Sequence, residues 1–237
     1  MSMLKVQGLC LQRQGETLLD QINFQIDGSG LTFVLGANGA GKSLLLRQLH
    51  QLGQLDGGSL RWHHDIPDLG RRFIFQKPVL LNRSVEKNMQ FVAKQLGVGE
   101  AEINSQLNNV GLADKKNQRA DLLSGGEQQK LAFARETLGA FDVLMLDEPT
   151  ANLDPQATLE IESLIQAVIN RGKTVIMASH DLHQIQRLSA QNPARVLFLE
   201  KGKLIFDGSS AVFFSDKPSD TKSVSASIRQ FTTGIST

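Results

Sequence analysis

The chain has 237 residues, 41% of them hydrophobic, and its 25 basic and 24 acidic side chains leave a net charge of +1. That length fits one α/β domain, or one domain with a lobe, and the balanced charge offers no electrostatic footprint for nucleic acid. A single cysteine, Cys10, excludes an internal disulfide framework and suits a reducing compartment.

In chain order, Lys5 and Arg13 enclose no apolar run of the kind a secretory leader needs. No window reaches the ~20 apolar residues that span a bilayer, so the chain reads as soluble, yet able to dock on a membrane protein. Residues 3–9 and "INFQI" (22–26) read as short strands. "LTFVL" (31–35) is an apolar run closed by Gly36, hence a buried strand, with a helix expected from Lys42 to about Leu52. "DGG" (56–58) is a turn before the strand "SLRW", and "RRFIF" (71–75) is a strand that stops ahead of Pro78. From Ser84 to Asn109 the pattern is helical, with weak breaks at Gly97 and Gly99. Ser124 reads as a helix N-cap, and Glu127 three residues on completes a capping box. "FDVLMLDEP" (141–149) is a buried strand ending in acids, and Pro155 opens a helix. "KTVIMAS" (173–179) is a strand, "DLHQIQRL" (181–188) a helix, and "ARVLFLEKGKLIFDG" a hairpin turning at Lys201-Gly202. The Ser/Thr-rich tail from about 215 reads as disordered, apart from a short helix at "SIRQF". Alternating strand and helix predict an α/β fold with a largely parallel sheet and helices on both faces. Residues 84–138 contain no strand pattern and are expected to form a helical lobe on a core built from 1–83 and 139–237.

"GANGAGKS" (36–43) follows the apolar strand and opens the helix, which is the context a G-x-x-x-x-G-K-[ST] phosphate loop requires. Gly36, Ala37, Asn38, Gly39, Ala40 and Gly41 form a backbone able to curl round phosphate oxygens. Lys42 is expected to reach the β- and γ-phosphates, and the Ser43 hydroxyl to ligate Mg²⁺. Asp147 and Glu148 fall at the carboxyl edge of the sheet, where α/β ligands bind. Asp147 is expected to hold the metal through a water; Glu148 points differently and suits a base that polarises an attacking water. The bare helix start Ser124-Gly125-Gly126 is a second place where free N–H groups can bind an anion. His63 and His64 are adjacent, a poor spacing for shared metal ligation, and read as surface loop. Trp62 reads as packing.

Six stretches carry a resemblance: "GANGAGKS", Gln76 in "FIFQKP", "LSGGEQQKLAFAR", "VLMLDEPT", "ANLD" and His180 in "MASHD". In order and spacing they resemble the ATP-binding cassette family of ATPases, over nearly the whole chain. The resemblance implies a P-loop NTPase (RecA-like) core with an antiparallel β subdomain and an α-helical lobe, and ATP and Mg²⁺ as cofactors. It also accounts for the second anion site. In that family two cassettes pair head to tail around two ATP molecules, and the Ser-Gly-Gly helix start of one copy covers the γ-phosphate held by the other. Carried onto this chain, that places Ser124, Gly125, Gly126, Glu127 and Gln128 at the nucleotide of a second copy. Gln76 is carried over as a group near Mg²⁺ and the attacking water, at the start of the loop that meets a membrane partner. His180 is carried over as a γ-phosphate contact that holds Glu148, and Asn152, Leu153 and Asp154 as the loop coupling the two sites.

Departures from the family pattern are specific. The chain has no tyrosine, and "LQRQGE" (11–16) puts Arg13 or Gln14 where an aromatic usually stacks on adenine. An arginine can stack through its guanidinium plane. Leu44 stands where a Thr or Ser often bonds the α-phosphate, so that contact is expected to be lost. One cassette without a membrane span implies an energy-coupling subunit, peripheral on the cytoplasmic face of the cell membrane. Its implied partners are transmembrane permease subunits meeting residues 76–92, a second copy in a homodimer and, indirectly, a substrate-binding protein, with no nucleic acid. "FIFQKPVLLNRSVEKNM" (73–89) and the ending "AVFFSDKP…IRQF" look similar to bacterial oxyanion importers, notably of tungstate and more distantly of phosphate. An amino-acid importer or small exporter cassette is the alternative, and a non-transport ATPase of the same family a further one. Intact Glu148 and His180 argue against a non-hydrolysing regulatory cassette.

Overall fold

The computed structural model describes residues 2–215 and 222–233, with side chains in the last stretch from 225 onward. The first half of the chain forms β1 (Leu4–Arg13), β2 (Glu16–Ile26), β3 (Gly30–Leu35), α1 (Lys42–Leu49), β4 (Gly57–Trp62) and β5 (Arg71–Ile74). Three helices follow, α2 (Val85–Leu96), α3 (Glu100–Asn109) and α4 (Gly125–Glu136). The remainder forms β6 (Val143–Asp147), α5 (Pro155–Asn170), β7 (Thr174–Ala178), α6 (Leu182–Gln191), β8 (Ala194–Glu200), β9 (Lys203–Ser209), α7 (Ser210–Phe213) and α8 (Lys222–Thr233).

The main sheet has the order β5-β6-β7-β3-β8-β9, parallel from β5 to β8 with β9 antiparallel at the edge. A second, antiparallel sheet has the order β2-β1-β4. The short strands expected at 3–9 and 22–26 are parts of one long hairpin. Gln14 turns it with φ of 52°, and the alternating buried Leu9, Leu11 and Leu19 extend the pairing past the polar "QRQGE". Helix α1 stops a turn short of Leu52, because Gln51 adopts φ of 62°. Helix α6 runs past Leu188 to Gln191, ending just before Asn192-Pro193. The hairpin at Lys201-Gly202 forms as expected, with Lys201 at φ of 47°.

The parallel strands are buried on both faces, as continuous apolar runs require. Phe33, Leu144, Leu146 and Met177 pack against Phe133 of α4, Ile161 and Ile165 of α5, and Ile185 of α6. Val34, Met145, Ile176 and Ala178 pack on the other side against Leu45, Leu46 and Leu49 of α1 and the apolar face of the small sheet. Helices therefore cover both faces as expected, but the second face is closed mainly by the antiparallel sheet, with α1 as its helical cover. Residues 84–138 carry α2, α3 and α4, and Val85, Met89, Ile103, Leu107, Leu131 and Leu138 form an apolar cluster of their own there. Ser84 caps α2 by accepting from the Lys87 N–H, and Gly97 ends it in the left-handed conformation. The "SIRQF" helix is α8; the expectation of a disordered tail falls in part on residues 216–221 and 234–237, outside the described residues.

Phe213 joins the C-terminal helix to the sheet. Its ring meets Phe198 at 5.5 Å, Phe206 at 5.4 Å and Phe231 at 6.5 Å between centroids, and it is 1% exposed. Phe213→Ala is expected to cost about 3 to 5 kcal/mol, read as a lower urea midpoint. An unchanged midpoint would mean that the cluster adds nothing to the core.

Candidate functional site

The parallel register brings three strand ends to one edge. Asp147 on β6 pairs with Ala178 on β7, which pairs on its other side with Val34 on β3. The phosphate loop, the acidic turn and the His180 turn therefore leave the sheet side by side. Gly36 has φ of 149°, and a Cβ there would lie 2.3 Å from the Leu199 carbonyl oxygen, so the loop passes β8 too closely for any side chain. The Gly202 N–H donates to the Ala40 carbonyl at 3.1 Å, tying the loop to the β8–β9 turn. Leu45 N–H makes the first intrahelical bond of α1, to Gly41. The N–H groups of Lys42, Ser43 and Leu44 precede it and have no helical partner, as at any helix start.

Asn38, Gly39, Gly41, Lys42, Ser43 and Leu44 line a cavity of about 590 Å³, closed from the neighbouring strand ends by Gln76, Glu148 and His180. That volume is in the range of small-molecule sites. Glu148 is the meeting point. Lys42 Nζ lies 3.3 Å from its Oε1, His180 Nδ1 lies 3.2 Å from the same oxygen, and Gln76 Nε2 donates to Oε2 at 3.2 Å. Lys42 is buried and folds back to donate to the carbonyls of Gly36 (3.0 Å) and Ala37 (3.2 Å). Glu148 itself adopts φ of 46°. A left-handed backbone at a non-glycine residue costs on the order of 1–3 kcal/mol and persists only where the surroundings fix it. Here the Glu148 N–H donates to Ala178 O at 3.1 Å, and the Ala151 N–H to Glu148 O at 3.1 Å.

Ser43 Oγ donates to Asp147 Oδ1 at 2.6 Å. These are two hard oxygen donors beside the cavity, a set that fits Mg²⁺ retaining several waters. Burial pushes the Asp147 carboxyl above its ordinary range, against the Ser43 hydrogen bond and the Arg47 charge, which favour the anion.

Other expected residues are elsewhere. Arg13 sits at the tip of the β1–β2 hairpin, its Nη1 3.8 Å from Asp56 Oδ2, and is not part of the cavity lining. Ala37 and Ala40 are not in that lining; with Asn38 and Gly39 they line a second cavity, of about 450 Å³, whose far side includes Ser227, Gln230 and Phe231 of α8. Asp154 caps α5, accepting from the Ala157 N–H at 2.9 Å. Ser124 and Glu127 form the expected capping box, and the Glu127 carboxyl also takes Lys115 Nζ, which holds it below its usual range. The Gln128 side chain donates to Leu123 O at 3.1 Å. None of 124–128 reaches the cavity of its own chain. Gly126 also has a packing reason: a Cβ there would lie 2.7 Å from Ala157 Cβ, whereas at Gly125 the nearest atom would be 3.9 Å away. Ala151 lines the cavity although nothing in its residue type marks it. His63, His64 and Asp65 bring their ligand-type atoms within 4.8 Å of one another, which adjacency in sequence did not suggest. Trp62 packs as expected, its Nε1 donating to Leu49 O at 2.9 Å under the Arg71 guanidinium.

Because the folded pKa of Asp147 lies above its unfolded value of 3.8, the fold binds more protons than the unfolded chain in that window. Stability then falls as pH rises through it. Asp147→Asn keeps an acceptor for Ser43 and removes the buried charge. It should raise the urea midpoint of the nucleotide-free chain near neutral pH, with the gap to wild type closing as pH falls toward 3.8. A variant less stable than wild type near neutral pH would show that the carboxylate is not under strain.

Comparison with known proteins gives the family. Residues 19–151 match the model described as ABC transporter. The chain is 32% identical to the phosphate import ATP-binding protein PstB 2 of Natronomonas pharaonis, over 92% of this chain and 84% of that one. It is 34% identical to the cell division ATP-binding protein FtsE of Mycobacterium tuberculosis, over 84% and 92%. CbiO1 from Clostridium perfringens, part of the ABC transporter complex CbiONQ, superposes with a TM-score of 0.75 at 27% identity, covering 87% and 88% of the two chains. A family match spanning more than half the chain, on a fold whose three strand ends gather one phosphate loop and one acidic turn, has a single consequence: the chain belongs to the ABC transporter family, as an ATP-binding subunit that hydrolyses ATP.

Proposed function

We propose that this chain is the energy-coupling ATPase of a membrane transporter, peripheral at the cytoplasmic face, and closes head to tail on a second copy around two ATP molecules with Mg²⁺. The convergence of Lys42, Gln76 and His180 on the Glu148 carboxylate carries the hydrolysis reading. When ATP enters, Lys42 leaves the Gly36 and Ala37 carbonyls for phosphate oxygens, and the free N–H groups at the start of α1 take the rest. Ser43 and Asp147, with Gln76, would hold Mg²⁺, whose charge would offset that of the transferring phosphoryl group. Glu148 accepts the proton of the attacking water as the terminal P–O bond to ADP breaks. His180 keeps the carboxylate turned toward that water and meets the γ-phosphate. The helix start at Ser124, Gly125 and Gly126 covers the γ-phosphate of the second copy, a reading favoured by its taking no part in the lining of its own chain's cavity. Asp154 and its neighbours then relay closure between the two sites.

The permease contact is assigned to residues 76–92. A groove of about 950 Å³ beside them presents Arg83, Lys87, Lys94 and Arg119 around the half-exposed ring of Phe91, which suits an acidic cytoplasmic segment. Among the described residues, no helix is long and apolar enough to cross a membrane, so the permease would be a separate chain or segment. For cargo, we favour an oxyanion, in keeping with the relatives named for phosphate import. Other relatives are named for cell division, a lantibiotic and hemin, so tungstate in particular rests only on the likeness of residues 73–89 and the C-terminal stretch. Arg13, after leaving Asp56, or its neighbour Gln14 remains the group proposed to meet adenine.

Glu148→Gln should bind ATP, lose ~10² to 10⁴ in turnover, and accumulate as an ATP-held dimer in size-exclusion chromatography; near wild-type turnover would remove Glu148 from this role. Ser124→Arg should bind ATP as a monomer but neither close nor turn over. Loss of nucleotide binding by that monomer would overturn the head-to-tail assignment.

A further inference from the structure

The turn that carries Glu148 and the turn that carries His180 are irregular segments, and one buried side chain bridges them. Gln184, on the first turn of α6, is 1% exposed. Its Nε2 donates to Thr150 Oγ1 at 2.8 Å, two residues beyond Glu148. Its Oε1 accepts from Ser179 Oγ at 3.0 Å, the residue immediately before His180. Nε2 also donates to Glu162 Oε1 at 3.2 Å, and Glu162 is in turn held by Arg187 through Nε at 2.9 Å and Nη2 at 2.6 Å.

Donor and acceptor chemistry fixes the direction of this chain. A carboxylate only accepts, so the Gln184 nitrogen must face Glu162, and the amide oxygen is left for the Ser179 hydroxyl. The Ser179 proton is then committed to Gln184, and its oxygen is free to accept the Asp181 N–H at 3.1 Å, which shapes the turn just after His180. Every polar atom of the Gln184 amide is used, inside the fold, between the two turns. Glu148 sits in a left-handed conformation, and such a backbone needs to be held from outside its own loop. The Glu162–Arg187 pair anchors the bridge on α5 and α6, so the bridge is referred to rigid helices rather than to loops.

We propose that Gln184 is a positioning residue for hydrolysis: it sets the spacing and orientation of the Glu148–His180 pair through Thr150 on one side and Ser179 on the other. This rests on Glu148 acting as the base. Gln184 does not touch nucleotide and does not line the cavity. Removing its donors leaves ATP binding intact and lets the two turns drift. Misplacement of about 1 Å at a reacting pair costs up to ~10²-fold in rate.

The test uses the full chain, with four variants that grade the bridge: Thr150→Ser keeps the hydroxyl, Thr150→Val removes it, Gln184→Met removes all three hydrogen bonds, and Gln184→Glu with Glu162→Gln restores them, with donor and acceptor exchanged toward positions 162 and 150 and Ser179 still donating. ATP affinity by titration, kcat, KM and thermal midpoint are read for each. The expected result is wild-type behaviour for Thr150→Ser, and kcat down about tenfold for Thr150→Val and up to about a hundredfold for Gln184→Met, with ATP affinity and KM unchanged. Partial return of kcat is expected in the exchanged pair. Thr150→Val equal to Thr150→Ser in kcat, or a fall in kcat that follows the thermal midpoint across all four variants, would overturn the proposal. Glu148→Gln is measured alongside in single turnover, alone and combined with Thr150→Val. If Glu148→Gln alone hydrolyses normally, the reading of Glu148 fails. If it does not, and Thr150→Val still lowers the residual rate by its full factor, Gln184 acts on something other than the Glu148–His180 pair.

Discussion

Everything at the site depends on the register of one strand. Ala178 pairs with Val34 on one side and Asp147 on the other. The ladder continues one step beyond the strands, with Ser179 N–H to Val34 O at 3.3 Å and Glu148 N–H to Ala178 O at 3.1 Å. Three loops therefore leave the sheet at the same level. A slip of one residue on β6 would send Asp147 to the opposite face and leave Ser43 without its acceptor. The register is enforced from both sides, because alternate residues of each strand belong to two different cores. Neither core can be satisfied if the other is out of step.

That edge is also where the fold holds its costs. A buried lysine and a glutamate in left-handed backbone line the cavity, and a buried aspartate with a raised pKa lies just behind it, bonded to Ser43 of the lining. Burying charge is expensive unless it is paired and hydrogen-bonded. The nucleotide-free chain meets the requirement internally: Lys42 takes two carbonyls and Glu148, and Asp147 takes Ser43. Each of these partners is one that phosphate or Mg²⁺ can replace with a stronger contact.

Helix α4 belongs to two cores at once. Leu131 and Ala134 belong to the cluster formed with α2 and α3, whereas Ala132 and Phe133 belong to the one on the sheet. Its start is pinned on α5 by the contact of Gly126 with Ala157 and by the Lys130–Glu160 pair at 2.7 Å. The Ser124–Glu127 capping box uses part of the helix end within the chain. At Gly125 a Cβ would meet only Leu153 Cδ2, at 3.9 Å, so no close packing demands glycine there. This helix start is held within the chain and takes no part in the lining of the chain's own cavity.

The sequence by itself determined the elements that local chemistry dictates. The phosphate loop, the apolar strand runs, the acidic end of β6, the Ser124 capping box, Pro155 at the start of α5 and the Lys201-Gly202 turn all follow from residue type at fixed spacing. So did Gln76 and His180, but only through resemblance, since a lone glutamine or histidine at a strand end carries no signal of its own. Where residues far apart must meet, spacing was silent. It did not show that the first two strands are one long hairpin, because the bulges of β1 break the alternation that marks a strand. Nor did it give the packing reason for Gly126, the approach of His63, His64 and Asp65, or the absence of Arg13 from the cavity lining. Gln184 is the sharpest case. In sequence it is one polar residue in an amphipathic helix. Its three partners come from the turn after β6, helix α5 and the turn after β7, and only the packing of α6 against α5 and the sheet brings them within hydrogen-bonding distance of one amide.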